Sequence, residues 1–333
     1  MPMTSTMATI DGRFRLGEEI RRDETGADDR ERYVRSNDNA RVFHAEDLKT
    51  GATVAFKILL HPASKGADFR SRFQRDVAIM QSLDHPNLVK TIAAGTTSQG
   101  QPYFVMELLQ GQTLADRLRE QGPLPAEEMA VCLEQVASAL DATHAKGLVH
   151  RAINPNAIMI VADSNDEPSY KLLDFGLDKE ITRPSAAQVE FTSKQSSLGT
   201  AAYLSPEQAR GGEVDARSDV YGLGVTLYES LTGRLPFEGE TDFQILLAQI
   251  NGSIPPFPVD WSDLETAEAI EAVVLTALAK DPADRPPTGG ALSRSFQDAL
   301  WSQPSRRFSF SWPAPAGGAL LIILLGLLAK WLL

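Results

Sequence analysis

Apolar positions along the chain change period once, and the change divides it in two. From Arg13 to Val105 they come in short runs. Phe14–Ile20, Ala40–Glu46 and Thr53–Leu59 read as strands, and Lys49-Thr50-Gly51 makes the hairpin turn between the second and third. One helical stretch interrupts them, Ala67–Leu83, with Phe73, Val77, Met80 and Leu83 at helical spacing. Leu88–Ala94 and Tyr103–Glu107 return to strand. From Thr113 onward the helical period dominates. Pro125 opens a helix with Met129, Cys132, Leu133, Val136 and Leu140 on one face, and Gly147 closes it. Asp215–Leu231 is apolar nearly all round, as a helix buried on every side must be, and Gly233 ends it. Further helices are predicted near Asp242–Ile250, Ala267–Leu278 and Gly290–Leu300. The expected class is α+β: a flexible N-terminus over 1–12, a small β-rich lobe over 13–106 and a larger helical lobe over 110–300.

A different pattern follows. A polar, basic stretch over 301–313 leads into APAGGALLIILLGLLAKWLL at 314–333. Twenty helical residues span about 30 Å, the thickness of a bilayer core. Trp312 and Trp331 flank the segment as interfacial anchors, Lys330 can snorkel, and Arg306 and Arg307 set the preceding side in the cytosol. The run from Ala316 to Ala329 is short for a span, so a terminal core helix is the competing reading. The expectation is a C-terminal transmembrane helix behind a juxtamembrane linker. It makes a single-pass membrane protein with its folded part cytoplasmic and no extracytoplasmic domain. Residues 1–14 hold no apolar run, which excludes a secretory signal there.

Charge and cysteine content narrow the partners. The net charge of −12 over 333 residues argues against nucleic-acid binding, which needs a basic face. One cysteine, Cys132, rules out an internal disulfide and a cysteine-rich metal site, and suits a reducing compartment. Its place in a helical pattern makes it a small buried apolar residue.

Short motifs fall in one fixed order. Val54-Ala55-Phe56-Lys57 lies on the third strand, and His85-Pro86-Asn87 follows the first helix. Gly147-Leu148-Val149-His150-Arg151 follows a long helix, and Asp174-Phe175-Gly176 follows a strand. Gly199-Thr200, Ser205-Pro206-Glu207, Asp215–Gly224 and Asp284-Arg285-Pro286 complete the set. Together, over roughly residues 13 to 300, they resemble the protein kinase superfamily, specifically its bacterial serine/threonine type. The resemblance implies a two-lobed kinase-like fold, with the lobes assigned above. It also implies a nucleotide site at Val42, Ala55, Lys57, Asp76, Glu107, Leu109, Met159 and Asp174. Lys57 would meet the α- and β-phosphates, Met106 to Leu109 would form the hinge beside adenine, and Asp174 would hold Mg²⁺. Glu207 with Arg285, and Asp219, match scaffold positions.

Phosphoryl transfer is catalysed by positioning and charge neutralisation, so each part can be checked against the residues present. The expected phosphate-covering turn, Arg21–Arg41, holds one glycine, Gly26. It interleaves six acidic residues (Asp23, Glu24, Asp28, Asp29, Glu31, Asp38) with six arginines. A close backbone approach to phosphate needs more glycine than that. The carboxylate partner of Lys57 is Asp76, one methylene shorter than the family's glutamate. The catalytic loop reads His150-Arg151-Ala152-Ile153-Asn154-Pro155-Asn156-Ala157. Ala152 stands where the family's proton-accepting aspartate would be, Asn154 where its lysine would be, and Ala157 where its metal-holding asparagine would be. A metal site resting on Asp174 alone would be half built, since Mg²⁺ seeks a filled oxygen octahedron.

Residues that fold the loop survive and residues that do the chemistry are gone. The expectation is a membrane-anchored pseudokinase acting as scaffold or allosteric partner of another signalling protein or an active kinase. ATP binding without efficient transfer stays open. The alternative is an active or atypical ATP-dependent serine/threonine kinase. Thr192, Ser193, Ser196, Ser197 and Thr200 would be open to phosphorylation by a partner, with Arg151 as the counter-charge.

Overall fold

The computed structural model describes residues 9–20, 40–60, 66–162, 167–173, 201–257 and 264–301 of the chain. Outside them lie residues 21–39 of the Arg21–Arg41 turn, Asp174 with the rest of 174–200, and everything after Trp301, including the predicted linker and the apolar segment 314–333. Among the described residues no helix is long and apolar enough to cross a membrane.

The small lobe is a six-stranded antiparallel sheet. Its strands are β1 (Thr9–Ile10), β2 (Phe14–Glu19), β3 (Ala40–Asp47), β4 (Ala52–Leu59), β5 (Thr91–Thr96) and β6 (Pro102–Glu107), in the order β1-β2-β3-β4-β6-β5. Residues 9 and 10, expected to belong to a flexible N-terminus, extend the sheet at its edge. Period-two alternation sorts β4 into two faces. Val54, Phe56 and Ile58 join Phe14, Ala45, Tyr103 and Val105 on one side. Ala55 and Leu59 join Val42, Met106 and the helix α1 (Ala67–Ser82) on the other, through Phe73, Val77 and Met80. A one-residue slip would exchange the faces, so burial of both fixes the register. The hairpin turns where expected. Gly51 takes φ +73°, and its N–H donates to the Asp47 carbonyl at 2.7 Å. Arg13 then clamps the Asp47 carboxylate at 2.8 and 2.7 Å.

The predicted strand at Leu88–Ala94 forms instead at Thr91–Thr96. Its first residues are drawn toward the other lobe, with Val89 N–H donating to the Leu172 carbonyl at 3.0 Å and Leu172 N–H to the Asn87 carbonyl at 2.8 Å. These bonds tie the His85-Pro86-Asn87 turn to the large lobe.

The large lobe has a three-stranded antiparallel sheet, β7 (Gln112–Thr113), β8 (Ile158–Ala162) and β9 (Pro168–Leu172). Its helices are α2 (Leu114–Gln121), α3 (Ala126–His144), α4 (Pro206–Arg210), α5 (Ala216–Thr232), α6 (Asp242–Asn251), α7 (Leu264–Ala277) and α8 (Gly289–Trp301). As its sequence demands, α5 is the buried axis. Asp215 caps its start by accepting from Arg217 N–H at 2.8 Å, and Gly233 ends it in a left-handed conformation. Glycine is required at 224, where a β-carbon would come within 2.8 Å of Ala277 on α7.

Two charged groups brace this helix. Glu207, at the start of α4, receives both arms of Arg285 at 2.8 Å and the Ser218 hydroxyl at 2.5 Å. Burial pushes the Glu207 carboxyl up, but Arg285 and Ser218 outweigh it, and the group ends below its usual range. Lys280 donates to the carbonyls of Gln249 at 2.8 Å and Ala248 at 3.4 Å, with Nζ 4.1 Å from the centre of the Phe237 ring. Burial, then the charges of Arg285 and Arg210, bring its amine down to about 8.

Two outcomes follow. Removing one partner of a buried ion pair leaves the other uncompensated, so Arg285→Ala should lower unfolding free energy by about 3 kcal/mol in urea denaturation. For Lys280, the unfolded chain holds a proton that the folded chain has released between about pH 8 and the free value of 10.5. Its contribution to stability therefore rises with pH across that window. Buried tyrosines such as Tyr221, raised above 10.0, reverse the trend beyond that pH. Midpoints measured from pH 7 to 10 should climb less in Lys280→Met, which keeps the stem without the charge.

Candidate functional site

The strand register gathers most of the nucleotide positions. Val42 pairs with Lys57 across β3 and β4, and Ala55 pairs with Met106 across β4 and β6. Val42, Ala55, Met106, Leu109 and Met159 are all buried and belong to one apolar cluster that continues through Ala157, Leu172 and Leu173 into the large lobe. Lys57, on the same face of β4 as Ala55, is 3% exposed, and its Nζ lies 5.5 Å from the centre of the Phe104 ring. The predicted partner does not follow. Asp76 is on α1 and buried, but among the described ion pairs it joins Arg75 at 3.5 Å and does not join Lys57.

The hinge carries a contact that periodicity does not reveal. The Glu107 carboxylate accepts from Lys90 N–H at 2.9 Å and from Lys171 Nζ at 2.7 Å, while Glu107 N–H donates to the Lys90 carbonyl at 3.0 Å. Gln135, a polar interruption in the apolar face of α3, is similarly hidden from pattern reading. Its Oε1 accepts from Asn87 Nδ2 at 2.8 Å and from Tyr170 N–H at 2.7 Å.

The catalytic loop is fixed from below by one carboxylate. Asp219 on α5 accepts from His150 N–H at 2.7 Å and Arg151 N–H at 2.6 Å, with His144 Nε2 at 2.7 Å. Arg151 is held in the left-handed region at φ 64°, a conformation unfavourable for a long side chain. Its carbonyl is secured by Gln208 Nε2 at 2.9 Å. His150 spans the loop, with Nε2 2.7 Å from the Leu173 carbonyl and Nδ1 accepting from Ala152 N–H at 3.2 Å.

The remaining positions carry no charge. Ala152 and Ala157 are 8% and 7% exposed, so their methyl groups are packed. Asn154 turns back on the loop itself. Its Nδ2 donates to the Ala152 carbonyl at 2.7 Å and its Oδ1 accepts from Asn156 N–H at 2.9 Å, which makes it the N-cap of the short 3₁₀ turn Pro155–Ala157. The Asn154 amide thus bonds within the loop itself. Asn156 is exposed and does not stand in for the side chain missing at 157. Among the described residues no group of three or more His, Cys, Asp or Glu could hold a metal. A surface pocket of about 490 Å³ beside the loop is lined by Arg151, Gly211, Gly212, Glu213 and Val214, and by none of the nucleotide positions. Asp174, Phe175, Gly176 and the serines and threonines of the following segment lie outside the described residues.

Comparison with known proteins agrees with this geometry at the level of the family. The protein kinase domain matches residues 36–297, and the chain belongs to that family. It is 38% identical over 269 residues to a probable serine/threonine-protein kinase of Corynebacterium efficiens, covering 79% of this chain and 40% of that protein. It is 35% identical over 269 residues to the serine/threonine-protein kinase PrkC of Bacillus subtilis, covering 81% and 40%. The chain thus spans about two fifths of the length of these relatives. The kinase domain of Mycobacterium tuberculosis PknI superposes with a TM-score of 0.65 at 23% identity, over 89% of this chain and 99% of that one. Rad53 in complex with AMP-PNP superposes at 0.60 and 25% identity, over 80% and 62%.

If the Asn154 amide is what shapes the loop, Asn154→Ala should cost about 1–2 kcal/mol in denaturant unfolding, from two lost hydrogen bonds and an orphaned carbonyl. Asn156→Ala, at an exposed side chain, should cost less than about 0.5 kcal/mol.

Proposed function

We propose that this chain is a pseudokinase, a member of the serine/threonine kinase family that binds partners rather than transferring phosphate. The observation that carries the reading is the loop from His150 to Ala157. It keeps every contact that sets its shape and offers no proton acceptor at Ala152, no cation at Asn154 and no metal oxygen at Ala157. Losing general-base and positioning help alone costs about 10²–10⁴ in rate. The missing cation and metal ligand remove charge neutralisation as well.

ATP itself remains compatible with the site. Val42, Ala55 and Met159 would flank the adenine, the Glu107–Leu109 hinge would meet its edge, and Lys57 would face the phosphates. The nucleotide-bound relative in the same fold supports this reading. Mg²⁺ does not fit equally well, because Ala157 brings no oxygen to it. The 314–333 sequence supports single-pass anchoring with the kinase domain on the cytoplasmic side, where its partner would be another signalling protein or an active kinase.

A second reading is favoured by the relatives, which carry the name serine/threonine-protein kinase: ATP-dependent phosphoryl transfer to protein hydroxyls. One experiment separates the two. Purified chain is incubated with labelled ATP and either Mg²⁺ or Mn²⁺, alone and with generic protein substrates, beside a Lys57→Ala control. The pseudokinase reading expects label no higher than in the control. Turnover that vanishes with Lys57→Ala establishes the kinase reading instead.

A further inference from the structure

We infer that Gln249 is a latch that makes α6 and the Ala201–Leu204 segment move as one body. Gln249 projects from α6 and is 0% exposed. A polar side chain in such a place has to satisfy both ends of its amide. Its Nε2 donates to the Ala202 carbonyl and its Oε1 accepts from the Tyr221 hydroxyl on α5. The Ala202 carbonyl can only accept, so the amide has one permitted orientation and the latch cannot flip.

The surroundings make this bond the polar tie between the two elements. Ala201, Ala202, Ile245 and Leu246 form a small apolar cluster of their own, apart from the main core. Tyr203 and Leu204 pack against the same cluster from partly buried positions, and the Gln249 amide adds a directional bond to this apolar contact. On its other side the segment is secured to α5, where Tyr203 donates its hydroxyl to Glu229. Lys280 bonds to the Gln249 main-chain carbonyl at 2.8 Å, so the helix end bearing the latch is itself anchored. Leu204 and Tyr203 lie directly C-terminal to the stretch that bears Thr192 through Thr200.

Hydrogen exchange of the intact chain tests the latch. Gln249→Met, close in volume and without polar ends, should speed exchange over Ala202–Leu204 by about tenfold relative to the unsubstituted protein. Tyr221→Phe removes only the other end of the amide and should change the same amides by less than about twofold. Equal effects of the two variants on that segment would overturn the inference. If Gln249→Met does not fold, the unsubstituted protein decides. Amides of Ala202–Leu204 and of the C-terminal turn of α6 should open together, with one dependence on denaturant, and two separate openings would overturn it.

Discussion

The Asp219 carboxylate is the constraint on which the rest of the site depends. It is buried on the axial helix of the large lobe, and it receives two consecutive main-chain N–H groups and an imidazole. Those bonds hold Arg151 in a backbone region that it would not choose, and the turn this forces brings His150 under the Leu173 carbonyl. The path from 150 to 157 is then set by the His150 ring and the Asn154 amide bonding to main-chain groups. Ala152 and Ala157 join this framework only through main-chain atoms, so it places no demand on the side chains at those two positions. The fold can therefore survive the loss of the groups that use it.

This separation means that membership of the family does not by itself fix the chemistry. Relatives at 35–38% identity share the framework, and their names describe what the framework can support. Three side chains within six positions are a small share of such an identity, whatever they do to the reaction.

Much of the framework was legible in the sequence because each element answers to one burial pattern. The short apolar run over Thr53–Leu59 announced β4 as a strand, and α5 announced itself by being apolar on all sides. The capping residues Asp215 and Gly233 marked its ends. The substituted loop positions were legible too, since Ala152, Asn154 and Ala157 sit inside an otherwise intact motif. What was not legible are the contacts between polar groups far apart in sequence. No periodicity connects Glu107 with Lys171, Asn87 with Gln135, or Gln249 with Ala202. The ion pair between Asp76 and Arg75 likewise has no signature in the pattern. Leu88 and Val89 read as strand by composition, but the main chain of the opposite lobe claims them.

The Glu107 carboxylate joins Lys90, ahead of β5, to Lys171 on β9, and so touches both lobes at the point where the chain passes between them. A single oxygen shared by an amide and an ammonium acts as a pivot pin. Rotation of the lobes about that oxygen keeps both contacts, whereas sliding or gaping at the rear breaks one of them. Together with the main-chain bonds of Val89 and Asn87 to Leu172, the pin resists separation of the lobes on this side. Because the pin is ionic and partly exposed, its stiffness falls as salt is added, which makes breathing of the interlobe cleft sensitive to ionic strength.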